Sequence, residues 1–336
     1  MPRPLQNKVA VVAGATRGAG RGIACALGEA GATVYCTGRS VRGATATTGR
    51  PECIEDTADL VTQRGGLGIP VRVDHLQEEE VVALFQRVQA EQGRLDLLVN
   101  DIWGGDGRTE WGKRFWEVDV ATGFSILQTA VHTHIITSRH AAPMMIERDA
   151  GLIVEVTDGV FPGYRSQLFY DLCKTSVIRL AYAMSVELAQ AGAAVTSLAI
   201  TPGFLRSEAM LEHFGVTEAT WRDAAAQDAG FAESESPLYI GRAIAALASD
   251  PGVQARAGGV YSSWALAREY GFTDVDGRQP HWDDHLDARI AAILQSDAPS
   301  PDDLMLLTVR LPQLDFDPER ADERARIAAF LDRQGG

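Results

Sequence analysis

No apolar run in the chain approaches the ~18 to 20 residues of a membrane span, and the first apolar stretch, residues 9–13, is too short for a signal-peptide core. These absences predict a cytoplasmic protein with no membrane partner. Cysteine is sparse. Cys25, Cys36, Cys53 and Cys173 form neither a CxxC pair nor a zinc spacing, which predicts free thiols in a reducing compartment and no metal site built on them. Lysine is scarcer still: Lys8, Lys113 and Lys174 stand among 31 basic residues, so each lysine raises the question of why it is not arginine. Clustered positive charge is missing too, since the net charge is 31 − 45 = −14, and no nucleic-acid partner is expected. Residues 273–336 hold 14 acids and 7 arginines, half of that excess.

What is present is ordinary globular material, 46% hydrophobic and 23% charged. Length alone allows two domains, so pattern has to decide. Short β-branched or apolar runs at 9–13, 33–36, 68–73, 95–99, 152–156 and 194–200 read as strands. Between them lie helix-length amphipathic segments near 18–30, 52–65, 77–93, 120–148 and 168–191, and a helix near 236–250 and a strand near 258–263 complete the series. The alternation and the continuous apolar character of several strands predict an α/β fold: a doubly wound parallel sheet, a Rossmann-type three-layer sandwich, in a single domain over residues 1–270. Residues 271–336, with Pro280, Pro299, Pro301 and Pro312 between short helical stretches, read as a C-terminal extension that wraps the domain or contacts another subunit.

After the first strand comes Ala13-Gly14-Ala15-Thr16-Arg17-Gly18-Ala19-Gly20-Arg21-Gly22, leading into an Ala/Leu-rich helix. Glycines there let the backbone turn tightly and approach a pyrophosphate, whose charge meets the helix N-terminus. The second strand ends Thr37-Gly38-Arg39-Ser40, and no acid occurs from residue 31 to residue 51. A carboxylate at that place favours NAD, whereas an arginine favours the extra phosphate of NADP. Arg39, with Arg17 as a second cation, therefore predicts NADP(H); the alternative for Arg39 is a solvated surface residue. Asp74, at the end of the third strand, is a candidate for the adenine amine, and Asn100, at the end of the fourth, for bracing the loop by the ribose. Either could equally be a turn residue.

Tyr170 and Lys174 share one face at the start of a long helix. A free phenol titrates near ~10, and a neighbouring ammonium is expected to lower that value, so Tyr170 can exchange a proton with an alcohol oxygen while Lys174 also holds a cofactor ribose. Arginine could not copy the compact ammonium. With these residues in order, Gly14/Gly18/Gly20, Asn100, Tyr170/Lys174 and Pro202-Gly203, the chain over about residues 5 to 265 resembles the short-chain dehydrogenase/reductase family. The resemblance implies a seven-stranded Rossmann-type sheet, a homodimer or homotetramer packed through the long helices at 120–148 and 168–191, and nicotinamide-dependent redox of an alcohol or carbonyl. It also implies that Pro202, Gly203 and Ser207, the last where the family often has Thr, lie near the nicotinamide amide.

Two departures stand out. The family ends its fifth strand with a Ser that polarises the substrate oxygen; this chain has Val156-Thr157-Asp158-Gly159, and Thr157 and Asp158 compete for that place. A hydroxyl at Thr157 would do the ordinary job, whereas Asp158 would have to be protonated by burial, bind a substrate hydroxyl or amine, or cap the loop. The family's Asn on the long helix is also missing, for residues 101–150 contain none; His132 and His134 lie nearby and read as packing or interface residues.

Trp103, Trp111, Phe115 and Trp116 follow the Asn100 loop, while Phe161, Phe169, Phe204, Leu205, Met210 and Phe214 flank the loops expected to border the nicotinamide. Trp103, Phe161, Phe169, Phe204 and Met210 are the candidate substrate contacts, with core or subunit packing as the competing account. Loop 204–216 and a helix near 217–230 are expected to form the lid. His281 and His285 have zinc-helix spacing but lack the Glu that such sites need, so no metal is expected. The last helix, with Ile327, Phe330 and Leu331 as one apolar edge, could dock on the core or a neighbouring subunit, and a charge-rich solvated helix is the simpler account. The function that follows is NADP(H)-dependent interconversion of an alcohol and a carbonyl in a small to medium apolar substrate, with Tyr170 as acid/base. The alternative is a family member without ordinary redox activity: a nucleotide-binding regulator or scaffold, or a non-redox isomerase or cyclase.

Overall fold

The computed structural model describes residues 3–44, 49–160, 163–315 and 317–334. Seven strands, β1 (Val9–Ala13), β2 (Thr33–Gly38), β3 (Leu67–Arg72), β4 (Leu97–Asn100), β5 (Gly151–Val156), β6 (Val195–Thr201) and β7 (Val260–Ser262), form one parallel sheet in the order β3-β2-β1-β4-β5-β6-β7. Side chains alternate across a strand, and β1 divides accordingly. Ala10 and Val12 pack with Ile23 and Leu27 of α1 (Gly18–Glu29) and Ile240 and Ile244, which lie in a helix at Pro237–Ser249; Val9 and Val11 pack on the other face with Leu84, Phe85 and Met145. Burial on both faces is why these strands carry so little polar alternation.

The remaining helices follow in chain order. They are α2 (Ile54–Gln63), α3 (Glu78–Gln92), α4 (Val120–Leu127), α5 (Thr133–Glu147), α6 (Leu168–Gln190), α7 (Glu208–His213), α8 (Pro237–Ser249) and α9 (Ser263–Tyr270), then α10 (Trp282–Ile293), α11 (Pro301–Gln313) and α12 (Ala321–Gln334). The strand order reverses between β1 and β4, whose last residues, Ala13 and Asn100, pair in register. In open α/β sheets ligands bind outside the carboxyl ends of the strands at such a reversal. No helix among the described residues is long and apolar enough to cross a membrane.

Three local expectations need correction. The long helix expected at 120–148 is interrupted by a π-helical turn at Gln128–His132, which joins α4 to α5. The helix expected near 217–230 is replaced by 3-10 segments at Trp221–Ala226 and Ala229–Glu233. Between them the Asp228 carboxylate accepts from the Gly230 amide, an alternative to helical pairing. Arg206, fully buried, gathers that region by donating to the Ser234 carbonyl and to Glu218 while its guanidinium lies 4.1 Å from the Trp221 ring. Third, α12 is not merely solvated. Ile327 and Phe330 are buried against Ile290, Ile293, Leu307 and Leu314, so the extension has its own apolar cluster.

Candidate active site

The loop after β1 turns at Gly14, where φ is +93° and an added Cβ would fall 2.6 Å from the Asp101 carbonyl oxygen. Only glycine permits both that left-handed backbone and that approach. The turn delivers the chain to the N-terminus of α1, where the N-cap residue Arg17 provides no side-chain acceptor. An acceptor comes from elsewhere: the Gly18 amide donates to Glu208 Oε2 on α7 at 2.7 Å, and Arg21 lies 3.6 Å from the same carboxylate. A carboxylate thus sits where the helix N-terminus is built to meet an anion.

A cavity of about 490 Å³ runs along the carboxyl ends of the strands, lined by Gly14, Thr16, Arg17 and Gly18 at one end, Arg39, Ser40 and Asp74 beside them, and Trp103, Thr157, Asp158, Tyr170, Lys174, Pro202, Gly203 and Ser207 beyond. Arg39 faces Asp74 at 3.9 Å. Ser207 caps α7, its hydroxyl accepting from the Met210 amide at 3.3 Å. Gly20, one turn into α1, packs so closely on the Gly14 carbonyl that a side chain there would collide with it. The residues present fit an extended phosphate-bearing ligand: bare backbone and a helix N-terminus at the cradle, with arginines alongside.

Tyr170 projects from the first turn of α6, which the Gln167 side chain caps by accepting from the Tyr170 amide. Its hydroxyl donates to Asp158 Oδ2 at 2.9 Å. Burial, with the charge and hydrogen bond of Asp158, pushes the phenol well above its ordinary value of 10. The lowering expected from Lys174 is therefore not what governs this phenol. The Lys174 ammonium lies 4.6 Å from the Trp103 ring centroid and 5.5 Å from that of Tyr170, over rings rather than at the hydroxyl. Thr157 and Asp158 separate cleanly: the Thr157 hydroxyl donates to the Lys174 carbonyl at 2.9 Å, and Asp158 faces the phenol. Trp103 and Trp111 flank Tyr170 with ring centroids at 5.2 and 5.0 Å.

Other candidates lie elsewhere. Asn100 does not line the cavity; fully buried, its amide donates to Ser138 and Glu155 at 2.9 and 2.8 Å, bracing the strand end from beneath. Phe169 faces α4, where its ring covers the bare backbone of Gly123 and meets Phe124 edge-on, so packing rather than substrate contact explains it. Phe204 and Met210 line a neighbouring cavity. Phe161 lies outside the described residues. His281 caps α10, accepting from the Asp284 amide, and no group of three His, Cys, Asp or Glu side chains suited to a metal occurs among the described residues.

Several site residues escape sequence reasoning. Asp101 lines the cavity, and burial raises its carboxyl to about 7 against the opposing charge of Lys174. Arg165 holds the loop after β5, donating to the carbonyls of Asp158 at 2.5 Å and Gly163 at 2.9 Å. Glu155 in β5 is fully buried, bonded to His134 Nδ1 at 2.6 Å, while His134 Nε2 lies 3.0 Å from the Ile102 carbonyl. One signal was available: Glu155 is an ionisable residue within an otherwise apolar strand. Two acceptors at opposite ring nitrogens require either a doubly protonated imidazole or a protonated Glu155.

Residues 8–215 match the family described as short chain dehydrogenase. The chain is 37% identical over 286 residues to Dehydrogenase/reductase SDR family member 1 of Mus musculus, covering 83% of this chain and 86% of the relative. The Homo sapiens protein of the same name is 35% identical over the same shares. The 7alpha-hydroxysteroid dehydrogenase of Clostridium sardiniense is 29% identical, covering 62% of this chain and 75% of that enzyme. Among solved structures, a short chain dehydrogenase from Mycobacterium thermoresistibile is similar in fold, with TM-score 0.67 and 20% identity over 83% of this chain and 92% of the other. The chain belongs to the short-chain dehydrogenase/reductase family, whose oxidoreductases act on small molecules with a nicotinamide cofactor.

Proposed function

We propose that the protein is an NADP(H)-dependent oxidoreductase that interconverts an alcohol and a carbonyl in a small to medium substrate with a largely apolar body. The observation that carries this reading is that Tyr170, its hydroxyl bonded to Asp158, and Lys174 line the same cavity as the phosphate cradle. A bound nicotinamide supplies the hydride in reduction and accepts it in oxidation. In reduction the carbonyl carbon gains that hydride, and the carbonyl oxygen gains the Tyr170 proton, giving the alcohol. A phenol is already protonated at neutral pH, and the raised value keeps it so while making it a weaker acid, so the proton passes only as negative charge develops on the substrate oxygen. Asp158 stands in the place of the family Ser, and by accepting from Tyr170 it holds the proton on the phenol until a substrate oxygen replaces it as acceptor. Lys174 and the Pro202-Gly203 turn are the residues that would position the nicotinamide ribose and amide; Gly14, Thr16, Arg17, Gly18, Gly20 and Ser40 would hold the rest. Arg39 supports NADP over NAD because β2 ends in this arginine rather than in an acid, although Asp74 from the end of β3 stands 3.9 Å from it.

The resemblance also implies a homodimer or homotetramer. Phe124, Ile135, Leu172 and Tyr182, exposed along α4, α5 and α6, are the apolar surface such an interface would cover; light scattering that finds a monomer at micromolar concentration would remove this part of the reading.

Tyr170→Phe should abolish NADPH consumption across a panel of apolar ketones while leaving NADPH affinity within a few-fold, and unchanged turnover would reject the assignment. Asp158 raises the Tyr170 pKa, so Asp158→Ser should lower it; the rising limb of alcohol oxidation, which needs the phenolate, should then move to lower pH, and a limb that stays put would remove Asp158 from this role. Arg39→Ala should cut the preference for NADPH over NADH by roughly 10- to 100-fold, the worth of one charge-assisted hydrogen bond, as read by fluorescence titration of both cofactors. Glu208 competes with phosphate for the Gly18 amide, so Glu208→Gln should tighten NADPH binding by roughly 2- to 10-fold; weaker binding would show instead that Glu208 supports the cradle.

A further inference from the structure

The cavity that holds Phe204 and Met210 adjoins the first one and shares Asp158, Pro202, Gly203 and Leu205 with it. Its volume is about 380 Å³, within the range of small-molecule sites. One side is built by the domain, from Phe204, Met210 and Trp264; the other belongs to the C-terminal extension, from Trp282 and Leu286 of α10 and Arg310 and Gln313 of α11. The extension is seated on both loops that flank Asp158. Gly203 meets Trp282, where an added Cβ would lie 3.2 Å from the Trp282 Cβ, and Gly163 meets α11, where one would lie 2.5 Å from the Gln313 Cα. Two further contacts fix α10 in place: the Trp282 ring lies 5.7 Å from that of Phe204, and Trp264 Nε1 donates to Asp283 at 3.1 Å.

The charges around this cavity are mostly spoken for. Arg165 serves the loop carbonyls, Arg320 is paired with Asp287 at 2.5 Å and Glu323 at 3.0 Å, and Asp283 accepts from Trp264. Arg310 differs. Its contacts are Nε to Glu323 and Nη1 to Gln313, each at 3.4 Å, and Nη2 has no acceptor among the described residues. A guanidinium offers more donors than these two long contacts use, in a planar fork that matches a carboxylate.

We propose that the C-terminal extension is part of the active site: it walls the substrate cavity, and Arg310 on that wall selects alcohol and carbonyl substrates that carry a carboxylate distal to the reacting carbon. This rests on the redox reading for the chemistry at Tyr170. Asp158 lies where the two cavities meet and Arg310 on the wall that the extension supplies, so an anionic group is repelled from the first and held by the second. The carbonyl of such a substrate is thereby directed toward Tyr170. The apolar body between them lies against Phe204, Trp264 and Trp282.

The test uses the full-length protein with NADPH and a series of ketones joining an aryl or alkyl spacer to a terminal carboxylate, each paired with its neutral carboxamide. The wild type should favour the carboxylate of the best-fitting pair at least tenfold in kcat/KM, mainly through KM. Arg310→Gln should bring that ratio to within about twofold, Arg310→Lys should keep part of it, and all three proteins should show similar melting temperatures. A wild type that does not discriminate, or an Arg310→Gln protein that keeps the preference, overturns the proposal. Should neither ketone of any pair consume NADPH, the redox reading fails. Calorimetric binding of the same carboxylates then decides this proposal separately, since Arg310→Gln must weaken it at least tenfold.

Discussion

A carboxylate buried in the middle of a parallel sheet determines where the floor of this site lies. Glu155 has no solvent, so every donor that reaches it is under obligation. Those partners come from two other elements: Asn100 at the end of β4, and His134 and Ser138 on α5. His134 extends the chain of bonds to the Ile102 carbonyl and so ties down the segment that follows β4. That segment carries Asp101, whose carbonyl lies against Gly14, and Trp103, whose ring underlies the Lys174 ammonium. A single buried acid therefore couples the phosphate cradle to the reactive pair. Breaking such a network by removing one partner leaves an unpaired buried group, costing about 3–5 kcal/mol where that group is charged.

The same network bears on the missing Asn of the long helix. The π-helical turn at Gln128–His132 ends two residues before His134. Such turns widen a helix by one residue and are frequent at functional sites. Here the turn sits in the stretch where the family resemblance would place the Asn, and the polar side chains that follow it, His134 and Ser138, converge on Glu155. The turn occurs here without an Asn, and the polar side chains beyond it are satisfied by a carboxylate on the neighbouring strand.

How much of this was legible beforehand depended on whether the signal was local. The strands, the glycine turn and the Tyr170/Lys174 face follow from periodicity and spacing over a few residues, and these are the features in which reading and structure agree. Thr157 and Asp158 could not be separated in sequence, because one residue of register at a strand end sends one side chain to α6 and the next to the phenol. Asn100 was read toward the ligand and points into the core, since its partners, Ser138 and Glu155, are 38 and 55 residues away. The sign of the effect on Tyr170 was missed for the same reason: burial and the Asp158 carboxylate are properties of the folded cavity, whereas Lys174 was visible at four residues' distance. The extension was the least legible part, for its apolar cluster draws on α10, α11 and α12 together, and the apolar edge visible on α12 does not show which partners cover it.

Charge ties these pieces together. A protein of net charge −14 repels anions at long range, yet a dinucleotide and a carboxylate-bearing substrate are both anionic. Repulsion from exposed groups is screened within about 8 Å at physiological ionic strength, so affinity is decided by what lines the cavities. Arg17 and Arg39 line one and Arg165, Arg310 and Arg320 the other, and Asp158 lines both. The acidic surface of the extension, read alone, would argue against an anionic ligand. Its inward face argues the other way, because the cavity meets Arg310 while the extension's own acids there are engaged: Asp283 accepts from Trp264, Asp287 pairs with Arg320, and Glu323 with Arg320 and Arg310. What distinguishes the site electrostatically is therefore not an excess of positive charge but the placement of one incompletely paired guanidinium on the wall that the extension supplies.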